Sequence, residues 1–271
     1  MLLLISGIIT RIFSSSFMGV FQKLLINNGE KRSIVNFYTY LGLTLFGFLF
    51  CTHPHFEVSL IKYIIIMGFL GALGNYYIIK AISLGEISSL APINSFKPVV
   101  AMVFGIFLLK EIPGIKEIIG IIFIIIGTFI LNRKCSILNK AGFYRFLALI
   151  FSGTEALFIK KIILLSDIQS AFFYWAASGL LFSALFAIKH PYKISKPNIK
   201  TQLLLIISAA LMQYSTNYVF EKMNVSYALA LFQLSTIFSV FLGVNLFREK
   251  GLCIKLTASL IMIFGATVIL L

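Results

Sequence analysis

Apolar residues in this chain neither alternate singly with polar ones nor follow one face of a helix. They run in long blocks, apolar on all sides, separated by short polar turns. Ten such blocks can be drawn: 2–26, 34–51, 60–82, 88–109, 112–131, 143–165, 169–188, 201–221, 225–247 and 252–271. A helix of about 20 residues crosses a ~30 Å hydrocarbon core, and inside lipid a helix satisfies its own backbone groups. The pattern therefore predicts an all-α polytopic membrane protein of ten transmembrane helices. Arg11 interrupts the first block and no small-residue cleavage site follows, which argues for a span rather than a signal peptide. The third block carries GFLGALG, Gly68 to Gly74, where small residues let helix backbones approach closely.

The chain also resembles itself. The stretch from Ser88 to Leu131 returns in weaker form from Tyr227 to Leu271. Without gaps, Glu111 falls on Glu249, Lys110 on Arg248, Gly105 on Gly243, Gly120 on Ala258 and Gly127 on Gly265. Ser16–Ile26 resembles Thr154–Leu164, and Asn75-Tyr76 with Lys80 resembles Asn217-Tyr218 with Lys222. Residues 1–134 and 143–271 read as two five-helix repeats, joined by a basic linker that begins at Asn132. Five is odd, so the second repeat enters the membrane upside down relative to the first. Inverted-topology repeats of this kind place a binding site near the midplane.

Composition agrees with this picture. Of 271 residues, 59% are hydrophobic and 12% charged, against roughly 25% charged in soluble domains, and the mean hydropathy is +1.00. The net charge of +14 sits in loops and helix ends, as expected of cations that set topology. No basic run is interleaved with exposed aromatics in a polar domain, so no nucleic-acid partner is expected. The expected partners are the lipid bilayer and a small-molecule substrate, with protons as a candidate coupling ion; a monomer and a homodimer both fit. The three cysteines, Cys51, Cys135 and Cys253, lack metal-like spacing, and His53-x-His55 lacks further ligands, so neither metal nor cofactor is expected. Metalloprotease, nucleophile-elbow and phosphate-loop motifs are absent from the sequence, which points away from an enzyme and from ATP hydrolysis.

The pattern of Pro98, then Leu108-Leu109-Lys110-Glu111, then Gly120 and Gly127 resembles the EamA-type branch of the drug/metabolite transporter superfamily. Lys110 replaces the usual glycine of that turn, the second copy reads Phe247-Arg248-Glu249, and Thr236 stands where the first copy has Pro98. The resemblance implies a ten-helix carrier of small metabolites or amphipathic compounds, often an exporter, in the plasma (inner) membrane. It also implies cytoplasmic termini. The cation count opposes this: the loops after blocks 1, 5, 7 and 9 hold most Lys and Arg, which by the positive-inside rule puts both termini outside.

Candidate site residues are those that lipid should exclude. A charge at mid-span costs at least ~2.5 kcal/mol on insertion scales, so it normally faces a cavity or a partner. Arg11, Lys97 and Glu155 lie deep in their blocks. Pro98 should kink the fourth helix and expose carbonyls beside Lys97, with Asn94 one turn earlier. Lys97 is read as a substrate-binding cation or as the ion-pair partner of Glu155. Glu155 is read as a proton-coupling carboxylate or as that ion pair. Uncharged cavity candidates are Ser15, Asn75, Tyr76, Gln213, Asn217 and Gln233. Glu111 and Glu249, beside Lys110 and Arg248, read as ion pairs closing short turns.

The expected function is secondary transport, as an exporter of an amino acid or organic anion working by alternating access. The alternatives are a proton-coupled exporter of cationic amphiphiles and a channel or lipid scramblase.

Overall fold

The computed structural model describes residues 2–51, 54–84, 93, 96–131, 140–188, 198–235, 237–238 and 252–271. Helices account for nearly all of them. They are α1 (Leu2–Asn27), α2 (Arg32–Phe50), α3 (Val58–Leu84), α4 (Lys97–Leu109), α5 (Ile115–Leu131), α6 (Lys140–Leu165), α7 (Ile168–Ile188), α8 (Ile199–Lys222), α9 (Val225–Phe232) and α10 (Leu252–Leu270). No strand occurs among the described residues. Among the described residues, five helices are long and apolar enough to span a membrane: α1, α2, α3, α7 and α8. Their outward side chains are apolar, as at Leu45, Phe48 and Leu49 of α2, which suits a surface wetted by lipid rather than water. Asn94, Thr236, Ser239, Glu249, Arg248, Cys135, His53, most of residues 88–95, the stretch 239–251 and the linker from Asn132 lie outside the described residues.

The helices form two compact units, and each takes elements from both sequence repeats. Unit 1 is Met1–Ala72 with Phe158–Lys222; unit 2 is Leu73–Leu157 with Met223–Leu271. The division falls inside α3 and inside α6.

In unit 1, α1 packs on α8 and α2 on α7. Leu43, Phe172, Ala176, Ala209 and Ala210 make one core cluster, with Met18, Tyr40, Trp175 and Ile206 against it. Glycines permit the close approach. A Cβ on Gly42 would lie 2.5 Å from Ile206, and one on Gly68 would lie 2.9 Å from the Ser178 Cβ. The first turn of α7 is capped by Asp167, whose Oδ1 accepts from the Ser170 amide (2.8 Å) and whose Oδ2 accepts from the Ser170 hydroxyl (2.6 Å). The segment following α2 is fastened there: His55 N–H donates to Ser170 Oγ (2.9 Å) and Tyr174 O–H donates to the His55 carbonyl (2.8 Å).

In unit 2, α5 packs on α10 and α4 on α9. A Cβ on Gly120 would lie 2.6 Å from the Gly265 carbonyl, one on Gly265 would lie 2.7 Å from the Gly120 carbonyl, and one on Gly127 would lie 2.9 Å from the Ala258 carbonyl. The two helices therefore run antiparallel with backbones in contact. In the sequence repeat Gly120 corresponds to Ala258 and Gly127 to Gly265; in space each meets the other's counterpart. Such reciprocal exchange is the signature of a local two-fold relation between equivalent helices. α2 and α7 are likewise equivalent and antiparallel, with Tyr40 beside Trp175 (ring centroids 5.3 Å apart) and Cys51 beside Ser170 (3.9 Å). The two five-helix repeats are inverted, as the odd helix count requires.

One expectation changes. The fourth block reads as one helix kinked at Pro98, but the described α4 begins at Lys97, with Pro98 in its first turn and Phe96 as N-cap. A proline there costs nothing, because a first-turn N–H has no intrahelical acceptor. In the turn after α4, Glu111 also reaches a distant element. Glu111 Oε2 accepts the Val225 amide (3.0 Å), capping the start of α9, and the Gly114 amide donates to Tyr227 Oη (3.0 Å). Lys110 closes α4 at φ 57°, ψ 31°, the left-handed cap conformation for which the family's usual glycine is suited.

Candidate functional site

The candidate residues fall into two sets, one in each unit. Unit 1 contains Arg11, Ser15, Gln213 and Asn217. Arg11 Nε donates to Thr216 Oγ1 (2.7 Å), and Thr216 Oγ1 donates to the Met212 carbonyl (2.7 Å). One turn along α8, Gln213 Nε2 donates to Asn217 Oδ1 (2.9 Å), while Asn217 Nδ2 donates to the Ile168 carbonyl (3.3 Å). Asn217 is fully buried and Gln213 nearly so. These groups tie α1, α7 and α8 together, and a buried amide needs such partners. Ser15 is half-buried on α1, between the buried Ser14 and Ser16.

Unit 2 contains Asn75, Tyr76, Lys97, Glu155 and Gln233. Asn75 and Tyr76 are exposed on α3. Their sequence equivalents, Asn217 and Tyr218, lie inward on α8, with Tyr218 3.0 Å from where a Gly7 Cβ would stand. The repeated motif thus serves packing in one copy and is accessible in the other. Next to it Tyr77 is stacked on Tyr144 (6.0 Å) and on Phe151 (5.6 Å). Lys80 Nζ lies 4.3 Å from the Tyr144 ring centroid and 5.7 Å from that of Tyr76, a cation–π arrangement.

Lys97 opens α4. Its carbonyl would lie 3.6 Å from a Cβ on Gly153 of α6, two residues before the half-buried Glu155. Gln233 is buried at the end of α9. There the backbone tightens into three-residue bonds, Gln233 N–H to Ala230 O and Leu234 N–H to Leu231 O (both 3.0 Å). In the sequence repeat Gln233 and Leu234 correspond to Ser95 and Phe96, just before α4 begins. In the register of the repeat α9 therefore ends close to where α4 begins, and the two helices pack together.

Two charges were not singled out by sequence. Arg145 of α6 is half-buried, and its Nε is buried without a hydrogen-bond partner among the described residues. Lys160 of α6 is only 7% exposed. Both stand near the ends of an apolar block, where a cation is ordinarily solvated. The sole signal was helix length: α6 begins at Lys140, so Arg145 lies more than a turn inside it. Among the described residues no group of three metal-binding side chains occurs.

Helical repeats with charged and amide side chains buried in apolar helices suit a multi-pass integral membrane protein. The sequence matches the EamA-like transporter family twice, over residues 2–133 and 139–271. The chain belongs to that family, and with it to the drug/metabolite transporter superfamily. It is a membrane transporter of that type, from a family of transporters rather than enzymes. A solved structure described only as "Crystal structure of protein" superposes with a TM-score of 0.76 at 14% identity, covering 99% of this chain and 96% of that one. At that identity the likeness concerns the fold alone. No curated protein matches the sequence.

Proposed function

We propose that this transporter is a secondary exporter of a small anionic or zwitterionic metabolite, an amino acid or organic anion, working by alternating access in the plasma (inner) membrane. One observation carries the reading. Among the described residues, the apolar helices hold Arg11, Lys97 and Arg145 partly buried and Lys160 buried, against Glu155 as the one carboxylate deep in an apolar block. Cations kept in apolar helices are costly, and that cost is offset when a negative group docks against them. Lys97, Gln233 and Asn75 are the unit 2 side chains proposed to meet the substrate. Arg11 with Ser15 is proposed to do so in unit 1, steadied by Gln213 and Asn217. No ATP-binding motif is present in the sequence, so energy would come from a gradient.

The test is flux into proteoliposomes of purified protein, with labelled amino acids and organic acids at varied concentration. Saturable flux, accelerated by the same compound on the far side, supports the carrier reading. Flux linear in concentration would make the protein a channel or scramblase. Saturable, pH-driven flux of cationic dyes that disappears in Glu155→Gln would establish the alternative, a proton-coupled exporter of cationic amphiphiles.

A further inference from the structure

Unit 1 contains a cavity of about 330 Å³ bounded by α2, α7 and α8. Its size is that of a small-ligand pocket. None of the residues proposed above to meet the transported compound lines it. Its floor is Ala210, a buried member of the core cluster that holds Leu43 and Phe172. Its walls include Phe46, Phe50, Phe172, Ile207 and Leu211. All of these but Phe172 are exposed, so the cavity opens on the apolar outer surface of three spanning helices.

The polar groups of the lining gather at one end. α2 and α8 run in the same direction: Gln202 Nε2 donates to Thr39 Oγ1 (3.0 Å), and Gly47 and Ala210, further along each helix, both line the cavity. α7 starts beside the far end of both. Cys51 lies 3.9 Å from Ser170, and Asn217 Nδ2 donates to the Ile168 carbonyl (3.3 Å). Cys51, Gln169 and Tyr214 therefore stand at the end where α2 stops and α7 begins, while Phe46 and Ile207 lie deeper. Tyr214 and Ile207 are two turns apart, about 10 Å along α8. Gln169 and Tyr214 are exposed, within reach of an outside partner.

This gradient of polarity selects the occupant. A water molecule needs two to four polar partners, and the deep end offers none. In a bilayer the apolar group that reaches this surface is a lipid acyl chain. Entering the cavity gains a chain no hydrophobic transfer energy, because lipid tails are as apolar as the walls. Preference comes instead from filling a hollow whose walls otherwise lose packing contacts, and from hydrogen bonds at the polar end.

We propose that this cavity holds one acyl chain of a membrane lipid, its tail against Ala210 and Ile207 and its polar end at Gln169 and Tyr214. The site is independent of what the protein transports.

The experiment is photolabelling of the full-length protein in phosphatidylcholine nanodiscs. The probe is a phosphatidylcholine with a diazirine on one acyl chain, at low mole fraction, and adducts are mapped by peptide mass spectrometry. Adducts on residues 46–51 and 207–214 are expected to exceed those on Ile65, Phe69 and Phe107, which are exposed elsewhere, by about tenfold, the ratio that a preference of ~1.4 kcal/mol gives. Ala210→Phe fills the floor and is expected to bring the excess down to the level of those controls. Leu211→Trp narrows the mouth from an exposed position; it is expected to do the same and serves if Ala210→Phe does not fold. Gln169→Leu combined with Tyr214→Phe is expected to lower the excess about fivefold, as loss of hydrogen bonds at the polar end would.

Even labelling of every exposed apolar face would make the chain ordinary annular lipid and overturn the site. So would an excess that survives both filling variants. Displacement of the probe by a soluble amino acid or organic acid would assign the cavity to the transported compound and overturn the lipid occupant. An excess indifferent to Gln169→Leu with Tyr214→Phe would overturn the polar end.

Discussion

Lys110 shows how one residue can carry a trace of the fold. Its left-handed backbone costs a side-chain-bearing residue roughly 1–2 kcal/mol, which glycine avoids. Glycine gives part of that back as extra freedom of the unfolded chain. Lys110→Gly should therefore stabilise the protein by about 0.5–1 kcal/mol, read as a higher unfolding midpoint in detergent. Cys51 makes a second case. It is buried at the end of α2, and burial pushes its thiol above the ordinary range; the Asp167 charge adds to the shift and the Ser170 hydrogen bond opposes it. The raised direction means the thiolate, which is the nucleophile, becomes scarcer at any given pH in the folded state. In a Cys135→Ser, Cys253→Ser background, Cys51 should react with a maleimide far more slowly in native protein than in denaturant, and the gap should narrow as pH rises well above neutral. Rapid native labelling at pH 7 would contradict the buried placement. In sequence Cys51 has no metal-like spacing, but only the approach of α7 showed what surrounds it.

Between elements, glycine is decisive where backbones touch and dispensable elsewhere. A Cβ on Gly120 would lie 2.6 Å from the Gly265 carbonyl, a backbone atom with no rotamer through which to yield. Gly120→Ala should destabilise by about 1–3 kcal/mol, the usual cost of overpacking. Gly19 on α1 has nothing within 4 Å of its would-be Cβ. Gly19→Ala should be neutral or stabilise by up to ~1 kcal/mol through helix propensity. Equal responses of the two sites in a thermal-unfolding series would refute the close seam of α5 and α10. The repeat and the antiparallel sense of these helices were legible in sequence, since Gly120 and Gly127 recur as Ala258 and Gly265. The start of α4 was not. An apolar run through Pro98 looks the same whether the proline kinks a helix or opens one, because only the neighbouring backbone distinguishes them. Glu111 was equally opaque: its cap on α9 joins residues 114 positions apart.

For the molecule as a whole, inverted repeats with an even number of spans put both termini on one face of the membrane. Reporter fusions active only in the cytoplasm, or only outside it, should give the same answer at the N- and C-terminus. Opposite answers would break the ten-span count. Which face it is separates the two expectations: cytoplasmic termini follow the family, external termini follow the loop cations.

The sequence by itself determined the class of fold, because block length against bilayer thickness and the requirement for satisfied backbone leave a helical polytopic protein as the solution. It also determined the inversion, by parity of the repeat, and the family, by the turn around Glu111. Only the tertiary structure decided which polar groups are already committed. Asn217 and Asn75 occupy equivalent places in the repeat, yet one is bonded inside a helix seam and the other is exposed. Arg145 and Lys160 look like ordinary helix-end cations until neighbouring helices bury them. Burial and partnership depend on what packs from distant parts of the chain, and local pattern carries no record of that.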